Sequence, residues 1–88
     1  MHYIYVLYSL KDHGFYIGKS DDLKQRIVSH NSGSVLSTRN RRPLKLIHYE
    51  AFLFPSDATA REKYLKSGYG RQQLRDQCKD LFRWLDKK

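Results

Sequence analysis

Glu62 stands where an apolar residue belongs. Ala58, Glu62 and Leu65 recur at i, i+4 and i+7, so a helix over this stretch turns all three to its inner face. A carboxylate there without a partner is costly, and it must be paired, protonated or bound to a metal ion. His30 repeats the anomaly in an earlier segment: Leu23, Ile27 and His30 share the same spacing, and Arg26 lies one turn before the histidine. Tyr5 and Tyr16, eleven positions apart, fall on two segments that read as paired strands. Spacing alone thus offers a Tyr, Arg, His and Glu cluster, but it does not name a reaction.

Each residue also has an ordinary explanation. Thr59-x-x-Glu62 matches a capping box, although Ser56-Asp57 is the better helix start, and Glu62 could instead form an ion pair with Arg26. A lone histidine near a helix end is commonly a satisfied, half-buried side chain. With 7 tyrosines in 88 residues, Tyr5 and Tyr16 could be plain sheet aromatics.

The elements that must position these side chains are legible. Residues 2–9, HYIYVLYS, read as a strand with Tyr3, Tyr5 and Leu7 on one face and Ile4, Val6 and Tyr8 on the other. Both faces are apolar, so the strand is expected to be central and covered on both sides. A turn at 11–14, with Gly14 free to take a positive φ, leads to a returning strand at 15–19. Ser20, followed by Asp21 and Asp22, signals a helix that runs to about His30 and stops in Asn31-Ser32-Gly33. A long polar and basic loop over 31–42 precedes a third strand at 44–52. Pro55 and Ser56 open a second helix ending at Gly68, and Tyr69-Gly70 links it to a last helix near 71–85. That helix has Leu74, Cys78, Leu81, Phe82 and Leu85 on its inner face. The order β-β-α-β-α-α predicts an α+β fold: a small three-stranded antiparallel sheet flanked by helices, in a single domain over 1–88.

Composition narrows the partners. Lys and Arg number 17 against 9 Asp and Glu, a net charge of +8, which points to a polyanion and first to nucleic acid. Thr38-Arg39-Asn40-Arg41-Arg42 carries three arginines in five residues. Arg61, Lys63 and Lys66 form a second basic cluster, with Arg71 and Arg75 following. No apolar run approaches the ~20 residues of a membrane span, and the opening MHYIYVLYS lacks a secretory signal pattern. A single cysteine, Cys78, cannot form an internal disulfide, so a reduced, cytoplasmic setting is expected.

The chain resembles the GIY-YIG nuclease superfamily, particularly small stand-alone members similar to the N-terminal nuclease module of the excinuclease C subunit. The likeness is carried by Tyr3-Ile4-Tyr5, Tyr16-Ile17-Gly18, Arg26 with His30, Ser32-Gly33 through Ser37-Thr38, Arg42-Pro43 and Ala60-Arg61-Glu62. It spans roughly residues 2–75. The glycine of the first motif is Tyr3 here, and the asparagine that many members carry toward the C-terminus has no counterpart, because no Asn follows Asn40.

The resemblance implies phosphodiester cleavage in DNA with one divalent ion held by one protein carboxylate and water. That suits a chain with one inward acid and no paired carboxylates for a two-metal site. Oxygen ligands and retained waters favour Mg²⁺ or Mn²⁺. Zinc does not fit, because Cys78 and the 4 histidines lack ligand spacing. By the family pattern Glu62 holds the metal, Arg26 contacts phosphate oxygens, Tyr5 lies near the attacking water as base, and Tyr16 and His30 orient water or phosphate. Lys19, Thr38, Arg39, Arg41 and Arg42 would hold the nucleic-acid backbone. A free phenol is only about 0.1% ionised at pH 7, a deficit of ~4 kcal/mol, so a phenolic base predicts activity rising from pH 7 to 9. Two other readings share the fold: a non-catalytic nucleic-acid-binding module, and a protein-interaction domain.

Overall fold

A computed structural model describes residues 1–87. Strands β1 (His2–Ser9), β2 (Phe15–Ser20) and β3 (Leu44–Phe52) form one antiparallel sheet in the order β2-β1-β3. Helix α1 (Leu23–Ser32) follows β2, and α2 (Pro55–Leu65), α3 (Gly68–Gln77) and α4 (Lys79–Asp86) follow β3. The α+β class, the bounds of β1 and β3 and the central place of β1 agree with the sequence pattern, while β2 runs one residue further than expected, to Ser20. Residues Ile4 to Ser9 are all buried, because both faces of β1 carry apolar side chains that need cover.

The two faces bury different cores. Ile4, Val6, Tyr8 and Ile17 pack against Ala58, Leu65, Leu74, Phe82 and Leu85 of the three C-terminal helices. Tyr5, Leu7 and Leu44 make a smaller core with Tyr16, Leu23, Ile27 and Leu46, under α1. In the β1–β2 register Tyr5 faces Gly18 and Leu7 faces Tyr16, so the two tyrosines share the α1 side of the sheet.

Several local expectations are corrected. Asp22, not Ser20, caps α1: its carboxylate accepts from the Gln25 N–H at 3.1 Å, while the Ser20 hydroxyl accepts from the Asp22 N–H. The helix extends to Ser32 and closes on Gly33 at φ 86°, which satisfies its last carbonyls. In the hairpin the positive φ belongs to His13 (62°), whose ring meets the Tyr8 hydroxyl at 2.9 Å. At Gly14 a Cβ would meet the tip of the Arg41 side chain at 2.8 Å, so a larger residue there would make that guanidinium shift. The 31–42 loop contains a 3₁₀ turn at Arg39–Arg41.

The second helix ends at Leu65, earlier than expected, because Ser67 caps a new helix by accepting from the Gly70 N–H at 3.1 Å. The last helix is two helices broken at Cys78 (φ −116°, ψ 52°). The apolar stripe spans the break without interruption, which is why spacing reads it as continuous. The bend lets α4 fold Phe82 onto Phe15, with ring centroids 5.5 Å apart.

Candidate functional site

Tyr5 lies at the centre of the α1 side of the sheet. Its ring runs over Gly18 on the neighbouring strand. A Cβ at Gly18 would collide with the Tyr5 hydroxyl and ring, so only glycine leaves room for the phenol here. The hydroxyl meets His30 Nε2 at 2.8 Å and accepts from Arg26 Nε at 3.3 Å. A guanidinium only donates, so the phenol O–H is free to point at His30 Nε2. The neutral imidazole then carries its hydrogen on Nδ1, which lies 2.7 Å from the Thr38 hydroxyl. Tyr16 completes the group, with its ring 5.1 Å from that of His30 and 6.4 Å from that of Tyr5.

Burial sets the protonation of this group. Tyr5, His30 and Thr38 are all 0% exposed. Burial pushes the Tyr5 phenol above its ordinary value, against the opposing pull of Arg26, so it stays protonated at neutral pH. Burial, reinforced by the Arg26 charge, pushes His30 below its ordinary value and keeps it neutral. The two tyrosine hydroxyls hold Arg26 more firmly protonated, Tyr5 more than Tyr16.

Tyr5, Tyr16, Arg26 and His30 therefore converge. The expected place of Tyr5 beside an attacking water is corrected, because its hydroxyl is sealed from solvent by Arg26 and His30. Tyr16 and Arg26 are only partly buried. Glu62 projects from α2, which packs across the opposite face of the sheet, and its carboxylate is half-buried 3.5 Å from Lys66. Among the described residues it pairs with no arginine, and Thr59 lies inside the helix rather than at a cap, so the capping-box and Arg26 alternatives both fall. Glu62 still lies near enough to bias the Tyr5 phenol, as the smallest of five influences on it. Lys19 reaches toward α2 and donates to the Thr59 hydroxyl at 2.8 Å, one turn before Glu62.

The basic loop divides in two. Arg39 and Arg42 are exposed. Arg41 is committed to Asp12, with Nε 2.6 Å from the carboxylate, and also donates to the Phe15 carbonyl at 3.4 Å. Thr38, expected at a nucleic-acid surface, is buried against His30. Both are corrections to the expected nucleic-acid contacts. Sequence reasoning missed Thr38 as the partner of His30, since an irregular loop has no periodicity to show which side chain turns inward. Arg61, read as part of the second basic cluster, is bound to Glu50 at 2.9 and 3.1 Å.

The sequence model of the GIY-YIG catalytic domain matches residues 1–75. The chain belongs to the GIY-YIG family. Two curated relatives are similar over most of their length. The UPF0213 protein of Clostridium perfringens is 39% identical over 84% of this chain and 80% of its own. That of Haloquadratum walsbyi is 37% identical over 91% and 92%. The solution NMR structure of a UPF0213 protein from Bacillus halodurans is 34% identical, covers 88% of this chain and 84% of its own, and superposes with a TM-score of 0.56. The GIY-YIG domain places the chain in a nuclease family, with the same sheet-and-helix fold. Among the described residues no helix is long and apolar enough to cross a membrane.

Proposed function

We propose that this GIY-YIG protein is a metal-dependent endonuclease that hydrolyses phosphodiester bonds in DNA, with Tyr16, Arg26 and Glu62 at the substrate and Tyr5, His30 and Thr38 behind them. The observation that carries this reading is the joining of Arg26 to Tyr5 and of Tyr5 to His30 beneath a half-exposed Tyr16. An inert sheet face has no use for a guanidinium held by a buried phenol.

Glu62 fits a hydrated ion. It is a hard oxygen donor, 21% exposed, so water and substrate can fill the remaining positions of an ion bound there. Among the described residues no three His, Cys, Asp or Glu side chains gather into a full protein-held site. Bound there, Mg²⁺ or Mn²⁺ would supply positive charge at the scissile phosphate.

The chain's own residues divide the remaining work. Arg26 uses its Nε–H on Tyr5 and keeps its terminal N–H groups for phosphate oxygens, where its planar fork gives direction as well as charge. Tyr16 is the phenol that solvent reaches, and it orients the attacking water. Tyr5, tied to His30 and through it to Thr38, fixes the angle of the guanidinium, so little reorganisation remains at the moment of reaction. Lys19, Arg39 and Arg42 meet the backbone of the nucleic acid.

Nicking of supercoiled plasmid with Mg²⁺ or Mn²⁺, abolished by EDTA, is the expected result. Absent cleavage would favour a non-catalytic nucleic-acid-binding module on the same fold, and cleavage that persists in EDTA would remove Glu62 as holder of a metal ion. The sealed Tyr5 hydroxyl and the Lys66 partner of Glu62 are the observations that favour this second reading.

A further inference from the structure

We infer that a groove beside Tyr16, carrying Lys66 and Arg71, is a second backbone-binding subsite that receives the nucleic-acid strand as it leaves the reaction centre. The groove lies along β2, where Phe15, Tyr16 and Ile17 face Lys66 at the end of α2 and Arg71 in the first turn of α3. Its volume is about 230 Å³, the space of roughly eight waters of liquid. The inference rests on the nuclease reading, since it assigns the path of that reading's substrate.

Three observations meet in the groove. Tyr16 forms part of its wall while its ring contacts His30, so the groove borders the candidate site through this one side chain. Among the described residues Arg71 forms no ion pair, although Arg41 and Arg61 are bound to acids. Among the described residues Lys66 pairs with the Glu62 carboxylate alone, at 3.5 Å and with the lysine side chain 57% exposed, so its ammonium can face both the acid and an incoming phosphate. No acidic residue stands in the first turn of α3 to compete for Arg71. The chemistry is that of a phosphodiester strand: two cations for phosphates, with Phe15 and Ile17 as an apolar wall for sugar. A protein partner would need acidic side chains at this one spacing. A polyanion brings a charge with every nucleotide.

This track differs from the arginine loop. It is built from α2, α3 and β2, and it places cations on the side from which Glu62 approaches.

The test is fluorescence anisotropy of the full chain with an end-labelled single-stranded DNA of about twenty nucleotides in EDTA, titrated across salt concentrations. K66Q combined with R71A should weaken binding about tenfold, and should lower the slope of log affinity against log salt by ~1.4, two contacts at ~0.7 each. K24A combined with K79A, removing the same charge from exposed positions outside the groove, should change affinity less than twofold. R71E should weaken binding more than the neutral pair. An equal loss in the two double variants, or an unchanged slope for K66Q with R71A, overturns the subsite. EDTA keeps this readout independent of cleavage. If the wild-type protein binds through the groove but never nicks plasmid, the nuclease reading falls and the subsite stands. If it nicks and the double variant binds normally, the subsite alone falls.

Discussion

The Tyr5 phenol occupies the space a side chain at Gly18 would need, and the two residues are register partners on adjacent strands. This relation gives the glycine of the second tyrosine motif a steric purpose. The backbone at Gly18 is not in a left-handed conformation, so the requirement is for room rather than for an unusual φ. Adding a methyl group should overpack the site by about 1–3 kcal/mol and tilt Tyr5 away from Arg26 and His30. G18A is therefore expected to melt at a lower temperature and to lose most cleavage. A G18A protein with wild-type melting and rate would show that Tyr5 has other places to go.

The two tyrosines should separate by phenotype. Y5F removes the hydroxyl that Arg26 Nε and His30 Nε2 share inside the core, and it should cost roughly 1–3 kcal/mol of stability. Y16F deletes a hydroxyl at a partly exposed ring and should leave stability within about 0.5 kcal/mol, while lowering kcat at least tenfold. Denaturant unfolding and single-turnover kinetics on both variants check this. If Y5F is as stable as wild type, the buried network does not hold Arg26.

His30 should govern stability on the acid side. Its folded pKa lies below its unfolded value, so the fold favours the neutral ring. That contribution is complete above about pH 6.5 and is lost as pH falls from there through the lower folded value, where the unfolded chain takes up the proton first. Tyr5 acts at the other extreme: raised above its ordinary value, it favours the fold below about pH 10 and loses that contribution as pH rises further. Melting temperature against pH should therefore fall below pH 6.5 more steeply in wild type than in H30Q. Parallel curves would show that His30 is not held neutral. A protonated Tyr5 also predicts no rate increase from its own ionisation between pH 7 and 9, unlike the sequence-based expectation. Residual activity of Y5F should then follow the same profile as wild type over that range.

How far the sequence revealed this arrangement depended on periodicity. The three strands, the double-sided burial of β1 and the inward turn of His30 follow from alternation and helical spacing, which are local. The role of Arg41 does not, because its partner Asp12 lies 29 residues away in a turn, and nothing in a run of arginines distinguishes a staple from a phosphate contact. Thr38 was hidden for the same reason. The break at Cys78 escaped notice because both helices continue one apolar stripe. Glu62 was legible as an inward acid, but spacing on its helix could not say that α2 covers the opposite face of the sheet from α1.

The basic loop offers a direct contrast. R41A should lower the melting temperature, since it strips Asp12 and the Phe15 carbonyl of their donor, while changing DNA affinity little beyond its one unit of charge. R39A with R42A should weaken binding to all sequences alike and flatten its salt dependence by ~1.4, with little effect on melting. The reverse pattern would exchange the two roles.

The central claim is that Glu62 holds the ion on which cleavage depends. The most direct measurement is the rate of plasmid nicking against Mg²⁺ or Mn²⁺ concentration for wild type and E62Q, with melting curves and EDTA binding isotherms on the same preparations. E62Q should fold and bind DNA as wild type does, yet show no metal-dependent nicking at any concentration. Metal-dependent cleavage by purified E62Q at a rate near wild type would contradict the account.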